Sequence, residues 1–118
     1  MLLSQGFIHV IAQGHTEYPD IPTLQILTSD EMFNMGGFWN TYVFLTDGVY
    51  YLGAIFRHRI DVRHEWLDDF AVIGIREWTI GHDPEDARNF LVFTDYYTVA
   101  FPQQLLGDEV MLAPEHSI

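Results

Sequence analysis

Apolar residues recur at three and four positions early in the chain and at every second position later, so the sequence predicts one short helix followed by strands. In Q-G-F-I-H-V-I-A-Q-G, Phe7, Val10 and Ile11 fall at helical spacing, Ser4 stands where a cap belongs, and Gly14 marks a stop. This predicts a helix from about Gln5 to Gln13. Pro19 and Pro22 bar regular structure until T-L-Q-I-L-T, residues 23–28, which reads as a first strand. Residues 29–39, S-D-E-M-F-N-M-G-G-F-W, read as a long connection with two glycines and exposed aromatics.

Asp47 and Gly48 then stand between runs of β-branched and aromatic residues. An Asp-Gly pair suits the positive φ angles of a two-residue primed turn, so a hairpin of Asn40–Thr46 and Val49–Phe56 is expected. Ile60, Arg63, His64 and Leu67 return to helical spacing and predict a short helix or turn from Val62 to Asp69. Residues 71–80 alternate as a strand, G-H-D-P-E-D at 81–86 is a turn cluster, and residues 89–99 form a last strand. The tail, with Pro102 and Pro114, is expected to be an extended wrap or partly disordered.

The order helix, three strands, short helix, two strands is that of an OB-fold, an all-β five-stranded Greek-key barrel. The first helix precedes the barrel and the second lies between strands 3 and 4. Its binding face would be flanked by residues 29–39 and 81–88. The whole chain, 1–118, is expected to be one domain, with the barrel over about 1–101 and the tail over 102–118.

Composition narrows the partners. Five arginines, no lysine and seventeen acidic residues give a formal charge of −12, a field that repels phosphate backbones and anionic membranes. Cysteine is absent, which removes disulfides and cysteine-ligated zinc and fits an intracellular chain. Neither a long apolar span nor a signal-peptide pattern is seen, so the expectation is a soluble, untargeted protein.

Residues 3–14 (L-S-Q-G-F-I-H-V-I-A-Q-G), the Leu24–Leu27 strand, T-D-G-V-Y-Y-L-G-A-I-F-R at 46–57, and N-F-L-V-F-T-D-Y-Y-T-V at 89–99 keep a common order and spacing. In these segments the chain resembles the N-terminal domain of the large subunit of replication protein A. The resemblance implies an OB-fold interaction module acting in nuclear DNA replication, the DNA damage response and repair, or telomere maintenance. In that family a barrel groove holds short amphipathic acidic helices of checkpoint and repair proteins, with basic rim residues and an apolar floor. The module also belongs to a single-stranded DNA-binding complex, whose other subunits would be partners if the chain is part of a longer one.

Carried onto this sequence, Ala54 and Phe56 match floor positions on strand 3, and Phe90 matches one on strand 5. Asn40, Tyr42 and Glu77 stand where the family has basic side chains. Arg88 matches a basic position beside strand 5, and Arg57 and Arg76 align near the groove. A rim so depleted of cations favours a less acidic or even basic partner segment, or else a packing role within a larger complex. The simpler alternative is that Tyr42, Phe56 and Phe90 are core or covered residues.

Other chemistry finds little support. His82, Asp83, Glu85 and Asp86 have ordinary turn composition without zinc or EF-hand spacing. His58 and His64 beside Asp61 and Glu65 suggest a solvated helical face, and no nucleophile motif accompanies them. M-G-G-F lacks the lysine and spacing of a phosphate loop. The expectation is no enzyme activity, no cofactor and no metal. Single-stranded nucleic-acid binding is the alternative function: Trp39, Tyr42, Tyr50, Tyr51 and Trp78 offer ring faces for stacking, but few cations track a backbone.

Overall fold

Among the described residues, five of six strands pair in a ring that returns to its start. The computed structural model describes residues 3–59, 67–82, 85, 88–107 and 110–113. After helix α1 (Phe7–Ala12) come β1 (Thr23–Met35), β2 (Phe38–Thr46), β3 (Tyr50–Arg59), β4 (Val72–His82), β5 (Asn89–Ala100) and the short β6 (Met111–Leu112). All neighbours in the ring are antiparallel except β3 and β5, which run parallel with Ala54 opposite Leu91 and Phe56 opposite Phe93.

Strand alternation fills this barrel-like ring. Leu24 and Ile26 from β1, Val43 and Leu45 from β2, and Leu52 from β3 face Ile73, Ile75, Leu91 and Phe93 in one buried cluster. The helix adds Phe7, Ile8 and Ile11 to the same cluster. Each such side chain contributes about 1.5–3 kcal/mol relative to exposure, so α1, too short to hold together alone, is kept by its packing.

The helix is shorter than the spacing predicts and is not capped by Ser4. Gly6, in the left-handed region at φ 91°, precedes it, and the Ser4 hydroxyl instead accepts the Thr23 N–H at 2.8 Å. The cap comes from Asp47, far along the chain. Its Oδ2 accepts the N–H groups of Gly6 at 3.1 Å and Ile8 at 3.0 Å, supplying the anion a helix start favours.

Residues 29–39 are not a loop. β1 continues to Met35, turns at Gly36–Gly37 and returns as β2, with Met35 opposite Phe38. Both glycines have positive φ, 63° and 82°, so the two-residue turn with left-handed residues lies here. Two register shifts in β1, between Ile26 and Thr28 and between Ser29 and Met32, break the alternation that would have marked the strand.

The Asp47–Gly48 turn is wider than expected. Only Gly48, at φ 94°, is left-handed, and pairing resumes with Thr46 opposite Tyr51. Asp47 makes the turn with its side chain: Oδ1 accepts the N–H groups of Val49 and Tyr50, both at 2.9 Å.

Of the expected helix at 62–69, residues 62–66 lie outside the described residues, and Leu67 to Asp69 are not helical. Gly81 and His82, placed in a turn by their composition, end β4, and Glu85 lies in the turn beyond. The described part of the tail bends back onto β1 and β3. The fully buried Gln25 side chain donates to the carbonyls of Phe70 and Gln104 and accepts the Leu106 N–H at 2.9 Å. β6 then lies parallel to β3, with Met111 N–H on the Val49 carbonyl and Ala113 N–H on that of Tyr51.

Candidate functional site

The outer face of β2 is apolar where a solvated strand would be polar. Thr41, Val43 and Leu45 turn inward, leaving Tyr42 (51% exposed) and Phe44 (45%) on the outside. Across the ladder Tyr42 faces Ile55 and Phe44 faces Gly53, whose missing side chain opens a floor beneath the Phe44 ring. A trough of about 470 Å³ follows, bounded by Tyr42, Phe44 and Ile55 on one side and by Arg88, Phe90 and Leu112 on the other.

Each wall is fixed by a different element. The Tyr42 ring stacks on Phe33 at 5.1 Å, so the β1 arm supports one lip. Phe90 lies against Gly81, its partner on β4, where a Cβ atom would come within 2.2 Å of the ring. Arg88 donates through Nε to the Ala113 carbonyl at 2.9 Å, joining the tail to the far wall beside Leu112. Asn89 donates to the Ile11 carbonyl at 3.0 Å and bonds His82 Nδ1 at 3.1 Å, tying that wall to α1.

The electrostatics of the trough differ from those of the chain. Among the described residues that line it there is no carboxylate, while Arg88 and His82 stand at its edge. In a chain with seventeen acidic residues, such a lining opposes a partner carboxylate less than the overall charge does.

Four of the eight residues singled out from sequence meet here: Tyr42, Ala54, Arg88 and Phe90. Phe56 does not form the floor. It is 7% exposed, stacks on Phe93 at 5.1 Å and meets Tyr96 edge-on at 5.0 Å inside the core. Strand parity is the reason, since Leu52, Ala54 and Phe56 face inward and the outward residues of β3 are Gly53, Ile55 and Arg57. Ala54 borders the trough from below, itself buried. Asn40 is also buried, its amide donating to the Phe38 carbonyl at 3.2 Å.

Arg57 and Arg76 do not line the trough. Arg57 sits over the Phe38 ring at 4.1 Å. Arg76 pairs with Asp95 at 3.5 Å and covers Tyr97, and with Glu77 it lines a different groove. Phe44, Ile55 and Leu112 complete the trough and were not singled out. The parity of the hairpin could have yielded Phe44 and Ile55, whereas Leu112 arrives through a long-range pairing with no local signal.

His58 belongs to β3, buried and stacked on Phe56 at 5.1 Å, rather than to a solvated helical face; Asp61, His64 and Glu65 lie outside the described residues. So do Asp83 and Asp86 of the acidic turn. Among the described residues no three His, Asp or Glu side chains gather as a metal site, and no helix is long and apolar enough to cross a membrane. No protein-family model matches the chain, and no match to it is found among curated proteins.

Proposed function

We propose that this chain is an OB-fold recruitment module that holds a short segment of another protein in the trough between β2, β3 and β5. The supporting fold observation is the ring order β1–β2–β3–β5–β4–β1 with β3 and β5 parallel, the neighbour pattern of a five-stranded Greek-key barrel. The observation that carries the function is an apolar trough whose described lining residues include no carboxylate, on a chain of formal charge −12. Apolar anchors on the partner would bury against Tyr42, Phe44 and Ile55, and Arg88 would select the charge beside them. The partner is a segment with apolar anchors and few acidic residues, because Arg88 and His82 are the only basic side chains among the described lining. The resemblance to the replication protein A large subunit makes a nuclear replication, repair or telomere protein the proposed source of that segment.

The test is anisotropy of a labelled neutral peptide carrying leucines at helical spacing. Tyr42→Ala with Phe44→Ala should weaken its binding about tenfold or more and leave the chain folded, because neither ring belongs to the buried core. Unchanged binding in the double variant would overturn the assignment.

A second reading rests on the same exposed rings. OB-folds bind single-stranded nucleic acid on the face of strands 2 and 3, where stacking contributes about 1 to 3 kcal/mol per base. A formal charge of −12 opposes it. Tight, salt-sensitive binding of labelled oligo-dT, lost in the same double variant, would put this reading first.

A further inference from the structure

A second groove, of about 790 Å³, lies on another face, where the segment after α1 passes over β4 and β5. Trp78 and Tyr18 line it, and both are anchored edge-on to the buried Phe7, at 5.2 Å and 4.9 Å. The β4–β5 ladder slips on either side of Glu77, leaving Arg76 and Thr94 out of register. Bulges re-aim side chains; here Arg76 and Glu77, consecutive residues, both face solvent. The Thr94 hydroxyl donates to Glu77 Oε2 at 3.1 Å and steadies that carboxylate, while Arg76 is turned to Asp95 and Tyr97. Glu17 stands on the crossing segment.

We infer that this groove docks a basic peptide segment of another protein, with an arginine or lysine side chain over Trp78 and its charge shared between Glu17 and Glu77. The argument is complementarity. Indole is the best ring face for a cation, Glu17 and Glu77 line the same groove as Trp78, and Arg76, the one cation among its described lining residues, already has a carboxylate partner. The long-range field of the chain, at −12, draws basic segments toward it. This surface is separate from the trough and does not depend on the reading given above.

The probe is a short labelled peptide of alternating arginine and leucine, titrated at low ionic strength against the whole chain. Glu17→Gln with Glu77→Gln should weaken binding about fivefold, the loss expected for two exposed ion pairs. Asp68→Asn with Asp69→Asn removes the same charge elsewhere and should leave binding within about twofold. Amide and indole shifts on titration should map to Trp78, Val92 and Thr94. Equal weakening by the two double variants, or shifts confined to Tyr42 and Phe90, would overturn the proposal, since the first reports only the overall field and the second reports the trough.

Discussion

The turns at Gly36–Gly37 and at Asp47–Val49 belong to successive hairpins and solve one steric problem by opposite means. At Gly36–Gly37 the backbone alone does the work: both residues are left-handed, both are exposed, and a Cβ atom at either would meet nothing within 4 Å. At Asp47 a fully buried carboxylate organises the chain, accepting four backbone N–H groups, two from its own turn and two from the start of α1. One turn can change with local consequences only. The other joins helix, hairpin and the site where β6 docks, since Met111 bonds the Val49 carbonyl beside it.

Substitutions should separate the two turns sharply. Asp47→Ala strands four donors and should lower stability by roughly 4 kcal/mol in chemical denaturation, with Asp47→Asn losing about half as much because one acceptor oxygen survives. A loss below about 1 kcal/mol for the alanine variant would mean that water replaces the carboxylate and that the contrast is false. Gly37→Ala should cost about 1 kcal/mol, the penalty of a Cβ atom in the left-handed region, with α1 and the tail undisturbed by amide exchange. Gly36→Asn should be nearly neutral, within about 0.5 kcal/mol, because asparagine tolerates that conformation. Between these, Gly81→Ala tests the trough: the new methyl must displace the Phe90 ring. It should weaken peptide capture about fivefold by removing a wall without altering a contact residue, which anisotropy would read.

The strands rich in apolar residues were legible: Asn40–Thr46 and Asn89–Val99 lie within observed strands, as does 71–80 apart from Ala71. The second half of β1 was hidden by its own bulges and by charged residues that resemble a loop, although Gly36–Gly37 was the turn signal that should have paired it with β2. The Asp-Gly signal found the right hairpin with the wrong turn, because propensity records the positive φ of Gly48 and not the side-chain bonds of Asp47. For the trough, Tyr42, Ala54, Arg88 and Phe90 came from the family resemblance carried onto the chain, since local patterning yields strands but not the side chains that share a groove. Phe56, placed on the groove floor by the resemblance, shares the inward parity of Leu52, which the simpler alternative of a core residue allows. Gln25 could not be foreseen as a clasp, since its three partners are the backbones of residues distant in the chain.

The parallel contact of β3 with β5 closes a longer stretch of chain than either hairpin does. β1, β2 and β3 pair through short turns, whereas Ala54 and Leu91 are separated by the whole of β4 and its connections. Loop-closure entropy is paid before that contact returns anything. Until then the edge of β3 stays open, and the strand that will carry Ile55 offers its unpaired backbone to any passing chain; the completed circuit is what keeps this protein's β3 for itself.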